Sequence, residues 1–257
     1  MFGNNSRRLP LEYLMAALMF VCSQQAMAAE AEPVKVDSPS PEAPVVKWDA
    51  SAELGFIMNR GNTDTDSLNA KLRVENSRPK WRHKAEVKVL QASDQGTKTA
   101  DSYELTGRSE YLLDDNDYLF GSLRYEDDRF AGYDRRTTEV VGYGHQYLKR
   151  PDMHLKGEFG AGGRQTENTD GSSESEGIVR VGLDYKWDIT KTSSFNEVVF
   201  VEYGDSNTYT ESVTEMTVKI NASLAMKVGV TVKHNSDPPV DIKNTDTRTA
   251  VTLVYDF

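Results

Sequence analysis

Charged side chains of both signs recur at two-residue spacing through much of this sequence. Lys84 and Lys88 flank Glu86, Arg108 precedes Glu110, Arg124 precedes Glu126, Lys156 precedes Glu158, and Arg180, Asp184 and Lys186 share one parity. Glu202, Lys219, Lys227, Lys233 and Arg248 extend the set toward the C-terminus. A spacing of two places such residues on one face of an extended strand. Arranged around an enclosed space, they either select small charged solutes passing through water or pair across the space and plug it. A second candidate is the run Glu126-Asp127-Asp128, followed by Arg129. Carboxylate oxygens suit divalent cations, and lipopolysaccharide is tethered through such ions; the plainer reading is the solvated start of a loop. His83, His145, His154 and His234 are scattered without metal-ligand spacing. No cofactor is implied.

The elements that must position these charges are strands. Trp48 to Asn59 puts Ala50, Ala52, Leu54, Phe56 and Met58 opposite Ser51, Glu53 and Gly55; Thr65 to Glu75 puts Leu68, Ala70, Leu72 and Val74 on its apolar face. The alternation continues through Trp81 to Ala92, Ser102 to Leu112, Tyr118 to Asp128, Arg136 to Leu148, Leu155 to Gln165 and Ile178 to Trp187. Phe195 to Tyr203, Tyr209 to Asn221, Leu224 to His234 and Thr245 to Phe257 complete about twelve segments. Turn residues separate them, such as Arg60-Gly61-Asn62-Thr63-Asp64, Asn76-Ser77-Arg78-Pro79-Lys80 and Asp114-Asp115-Asn116-Asp117. The connections alternate short and long, and a long acidic loop is expected around Glu167, Asp170, Glu174 and Glu176. An even number of strands with short turns at one end and longer loops at the other is the pattern of an outer-membrane barrel. Trp48, Trp81 and Trp187 all fall beside the short turns, as half of an aromatic girdle would.

The fold class is therefore all-β: an antiparallel up-and-down transmembrane β-barrel of about twelve strands. Mean hydropathy is only -0.59, which fits because just every second strand residue meets lipid. The formal net charge of -10 argues against a nucleic-acid partner. The chain opens with Arg7 and Arg8, a mostly apolar stretch from Leu11 to Val21, and Ala26-Met27-Ala28. These are the parts of a secretory signal peptide cleaved after Ala28, with ordinary secretion favoured over a lipoprotein Cys22 or twin-arginine export. Removing Arg7, Arg8 and Glu12, together +1, takes the charge from -10 to -11 and discards Cys22, the one cysteine. Residues 29–47, with Pro33, Pro39, Pro41 and Pro44, read as a disordered periplasmic tether, and the barrel occupies 48–257.

Several runs then carry a resemblance. They are Glu53-Leu54-Gly55 with Arg60-Gly61-Asn62-Thr63-Asp64-Thr65; Phe120 through Asp134; Gly142-Tyr143-Gly144; and His234-Asn235-Ser236-Asp237-Pro238-Pro239 with Lys243-Asn244-Thr245-Asp246-Thr247. In this order they resemble the salt-induced outer-membrane protein family of YdiY type, over about Trp48 to Phe257. The resemblance implies an outer-membrane β-barrel and a link to salt or osmotic response; it carries no catalytic or binding residues.

The expected role is a narrow pore or a structural envelope protein in the outer membrane, not an enzyme. Its partners would be outer-membrane lipid and lipopolysaccharide, small solutes or ions, and the barrel assembly machinery, engaged through the C-terminal strand that ends on Phe257. Gly160, Gly162, Gly182 and Gly229 fall on the lumen face and favour open space over a plug. An open pore would shift its conductance when Arg124 or Arg180 is neutralised. The alternative is a lipid-acting enzyme, because some twelve-stranded outer-membrane barrels are phospholipases. That reading needs His234 and a serine such as Ser236 within hydrogen-bond reach at the outer rim.

Overall fold

The period-two pattern becomes twelve strands in the computed structural model, which describes residues 46–59, 65–239 and 242–257. They are β1 (Lys47–Asn59), β2 (Thr65–Ser77), β3 (Trp81–Asp94), β4 (Thr97–Leu112), β5 (Asp117–Asp128), β6 (Tyr133–Lys149), β7 (Met153–Asn168), β8 (Ser173–Asp188), β9 (Ser193–Gly204), β10 (Thr208–Lys219), β11 (Leu224–Asn235) and β12 (Thr245–Asp256). Each strand pairs antiparallel with its sequence neighbours, and β1 pairs with β12, so the sheet is a closed barrel. The signal segment, the tether up to residue 45 and the turn Arg60–Asp64 lie outside the described residues.

The barrel is inverted relative to a water-soluble one. Val141 is 69% exposed and Phe159 59% exposed on the outer wall, whereas Glu202 is 0% exposed inside. Leu54, Leu105, Leu123, Val181, Leu183, Val228 and Leu253 are likewise exposed outward. An apolar belt of this extent is stable only where hydrocarbon, not water, is its solvent. Closure follows from the same cause: lipid offers no hydrogen bonds, so backbone groups must pair around the wall.

Trp48, Trp81 and Trp187 lie at the starts of β1 and β3 and the end of β8, all on one rim and all on the outward parity. Trp81 packs edge-on against Tyr111 at 5.0 Å, and Tyr255 against Phe257 at 4.9 Å on the same rim. Turns at this rim are held by side-chain acceptors. Asp114 Oδ1 accepts from the amides of Asn116 and Asp117 at 2.8 Å, and Asn221 Oδ1 from Ser223 and Leu224 at 2.9 Å.

The expected alternation of short turns with long loops is not what the opposite rim shows. β3 and β4 join through Gln95 and Gly96 alone, with φ of 48° and 77°. Two successive left-handed residues make the tight hairpin whose twist matches the strands. The expected acidic loop is mostly strand: β7 runs to Asn168 and β8 starts at Ser173, so Glu167 and Glu174 sit in the ladder. Polar residues here continue the strands beyond the apolar belt, and their composition imitates a loop. Among the connections there, 236–244 is the long one.

Candidate functional site

The lumen is built by alternation and then closed by charge. All twelve candidate charges (Lys84, Lys88, Arg108, Glu110, Arg124, Glu126, Lys156, Glu158, Arg180, Asp184, Glu202 and Arg248) face inward, lining lumen cavities or, for Glu202, lying buried among the lumen arginines. Lys186 and Lys219, on the same parity, stand exposed at the tryptophan rim.

Midway along the wall the β5–β10 side is packed. Glu202 accepts hydrogen bonds from Arg124 at 2.9 Å and Arg180 at 3.0 Å, and Arg164 lies 3.8 Å away. Arg124 also pairs with Glu126 at 3.2 Å and Glu211 at 3.6 Å, while Tyr209 donates to Glu211 at 2.6 Å. Arg180 stacks over Phe200 at 3.8 Å, an arrangement suited to a flat guanidinium. Beside these, Tyr118, Phe120, Val140 and Ile178 form a buried apolar cluster. Arg108 there grips Glu158 through two bonds of 2.6 and 3.2 Å, and Tyr118 donates to the same carboxylate at 2.7 Å.

The opposite rim is laced together as well. Arg164 bonds Glu176 at 2.6 and 2.9 Å and donates to the Asn207 carbonyl. Asn207 in turn donates to Asn235 at 2.9 Å, and Arg136 reaches the same oxygen at 3.3 Å. Pro239 and Ile242, between β11 and β12, come against Gly132, where an added Cβ would meet them at 2.9 and 3.0 Å. Gly132 has φ of 90° besides, so glycine is required there on both counts.

The space left over is divided between a cavity lined by β1–β5 and β10–β12 and another lined by β2–β10. A cavity of about 90 Å³ occupies the half away from the tryptophan rim, and one of about 340 Å³ the half beside it. The two share Lys71, Lys88, Glu104, Glu211, Val213 and Glu215 in their linings. Lys88 pairs with Glu104 at 2.9 Å, Lys71 with Glu53 at 3.4 Å, and Lys227 with Glu53 and Glu215 at 2.8 and 3.3 Å. The arrangement is neither a wide pore nor a full plug: ion pairs and aromatic side chains fill much of the lumen, and two cavities remain among them.

Two expectations about the lumen change accordingly. Gly160 and Gly162 do not provide open space: a Cβ on either would strike the backbone of β6, at Val141 O (2.8 Å) and at Glu139 O respectively. They permit close approach of β6 and β7, and only Gly182 and Gly229 have room beside them. Arg124 lines the larger cavity but is held by Glu126, Glu202 and Glu211. The run Glu126-Asp127-Asp128 is not brought together as a cation site. Glu126 turns into the lumen toward Arg124 and Lys233, Asp127 takes the opposite parity, and no group of three candidate metal ligands is found among the described residues. Nor do His234 and Ser236 engage one another: His234 Nδ1 lies 2.8 Å from Thr245 Oγ1, and Ser236 donates to Asn207 at 3.2 Å.

The shared lining was only half visible in the sequence. Glu104 has the parity of Arg108 and Glu110, and Lys71 lies opposite the apolar face of β2, signals that would have sufficed to add them. Glu211 and Glu215 alternate with Val213 on β10, but nothing local marks which face of β10 points inward. Asn207 and Asn235 lie beside turns and carry no signal of the rim lacing they make.

Comparison with solved structures agrees with the barrel. The NanC porin superposes with a TM-score of 0.51 at 10% identity, covering 81% of this chain and 98% of the porin. An outer membrane channel from Pseudomonas putida F1 superposes at 0.50 with 11% identity, covering 89% and 100%. In sequence, the uncharacterized protein YdiY of Escherichia coli (strain K12) is 29% identical over 252 residues, 97% of this chain and 98% of that protein. The model of a family described as a protein of unknown function, DUF481, matches residues 52–257. The chain thus belongs to the DUF481 family, and its described part has the closed twelve-stranded architecture found in outer-membrane porins and channels.

Proposed function

We propose that this protein is exported, resides in the outer membrane, and conducts small ions through a narrow, charge-lined lumen. The observation that carries the reading is that two lumen cavities, one toward each end of the barrel, share Lys71, Lys88, Glu104, Glu211, Val213 and Glu215 in their linings, a set we read as one charged ring. A path lined by both signs and pinched at one level passes small hydrated solutes and excludes bulky ones. The apolar belt supports the location, and barrel assembly through the strand ending on Phe257 fits the same picture. A link to salt or osmotic response rests on the family resemblance.

The ring holds three carboxylates against two ammonium groups, so cations are preferred modestly. Refolded mature protein in planar bilayers should give small discrete current steps and a reversal potential displaced toward the cation value in a potassium chloride gradient. Glu215→Gln should move that potential toward zero. Bilayers that stay at baseline would remove the conducting role and leave a structural one. Export makes a separate prediction: the protein recovered from outer membranes should begin at Ala29 on N-terminal sequencing, and a chain starting at Met1 would contradict it.

A further inference from the structure

The charges that line the larger lumen cavity, of about 340 Å³, are almost all committed to one another. Each of its lysines and arginines but one has a carboxylate within 3.4 Å, as Arg73 has Glu75, Arg82 has Glu110, Lys84 has Glu86 and Arg180 has Glu202. Its carboxylates are held by those cations, by Lys227 or by the Tyr209 hydroxyl, again with one exception. The exceptions are Lys156 on β7 and Asp184 on β8, which make no hydrogen bond or ion pair among the described residues.

The two exceptions are neighbours. Lys156 stands directly across the ladder from Asp184, where Cβ atoms lie about 5 Å apart. Opposite charges so placed can close on each other, but the Lys156 ammonium lies over the ring of Tyr118 instead, 6.0 Å from its centroid. One donor and one acceptor therefore face the same space near the tryptophan rim. Asn196 of β9 lines that space too, and its side-chain amide makes no hydrogen bond among the described residues. Val198 sits across from Asp184, and Gly182, two residues along β8 on the same face, has room for a Cβ.

A lone anion drawn to Lys156 would meet Asp184, and a lone cation drawn to Asp184 would meet Lys156. A molecule with both charges one carbon apart satisfies the two together through charge-assisted hydrogen bonds. It is also preferred over either single ion by the repulsion that each of those would suffer. We propose that Lys156, Asp184 and Asn196 form a binding site for a small free α-amino acid. Its carboxylate rests on Lys156 and Asn196, its ammonium on Asp184, and its side chain in the space beside Gly182 and Val198. The inference names a solute class for the lumen proposed above and rests on that lumen being open to water.

The test uses the mature chain in phosphatidylcholine nanodiscs with L-alanine, followed by saturation-transfer difference NMR against empty nanodiscs. The alanine methyl should receive saturation from the protein. N-acetylalanine, which keeps only the carboxylate, and alaninamide, which keeps only the ammonium, should each bind about tenfold more weakly, the loss of one charge-assisted hydrogen bond. Lys156→Gln and Asp184→Asn should each weaken alanine binding by about the same factor. They should also shift preference in opposite directions, Lys156→Gln toward alaninamide and Asp184→Asn toward N-acetylalanine, which a merely structural role would not do. Compact migration of unheated protein in SDS gels establishes that each variant is folded. Equal binding of the three compounds, alanine binding that ignores both substitutions, or no transfer to alanine from the folded wild type would overturn the site. Binding is read at equilibrium, so a barrel that passes no current still registers it, and silent bilayers count against conduction alone.

Discussion

Glu202→Ala lowers the unfolding free energy of the barrel by about 3–5 kcal/mol, the usual consequence of stripping one partner from a buried ion cluster. Glu202 is 0% exposed, takes hydrogen bonds from Arg124 and Arg180, and has Arg164 3.8 Å away. Without its carboxylate, three guanidiniums face one another in a site that water hardly reaches. Repulsion and lost hydrogen bonding then act together. Urea titration of the protein folded in lipid vesicles reads the change directly. Lys98→Ala is the matched control: it breaks a 2.8 Å pair with Asp101, but Lys98 is 61% exposed, and pairs of that kind contribute less than about 1 kcal/mol. Replacing Arg180 in the Glu202→Ala background should recover part of the loss, because it removes one of the stranded charges. Equal midpoints for Glu202→Ala and wild type would show that the cluster does not hold the wall together.

If the lumen conducts as proposed, Val213→Trp should abolish most of the conductance, reducing the single-channel current by about tenfold or more as a hydrophobic side chain fills the proposed ring. Val213 is the one apolar member of the ring shared by the two cavities, so the change alters size without altering charge. It stands opposite Val198, with Glu211 and Glu215 two residues away on either side. Val201→Trp on the neighbouring strand points outward, where Val201 is 37% exposed, and should leave the current unchanged. The pair thus separates obstruction of the path from general damage to β9 and β10. Undiminished current through Val213→Trp would place the ion path elsewhere.

The strands and their faces were legible because lipid on one side and a polar interior on the other impose strict alternation. Leu119, Leu123 and Tyr125 against Phe120, Ser122, Arg124 and Glu126 show it within one strand, and the structure keeps that division. Short turns between consecutive segments then dictate the order of strands around the wall. What alternation does not convey is which charges meet. Arg124 and Glu202 are separated by 78 residues, and Lys227 and Glu53 by 174. Those meetings depend on register and stagger accumulated around the barrel, so the same inward charges were compatible with a pore or a plug. Strand ends past the belt were illegible for another reason. Once outside lipid, β7 and β8 carry Glu167, Glu174 and Glu176 as a loop would, although the ladder continues through them. The glycines misled likewise, since a missing side chain reads as space whether or not a neighbouring backbone occupies it.

Everything functional rests on hydrocarbon surrounding the outer wall. Depth-resolved fluorescence quenching of Trp48, Trp81 and Trp187 by brominated lipids, measured in single-tryptophan variants, tests this most directly. All three face outward on one rim, so lipids brominated near the glycerol should quench each more strongly than lipids brominated near the methyl end, with similar depth for the three. Quenching by aqueous iodide alone, with no response to bromolipid at any depth, would contradict the account.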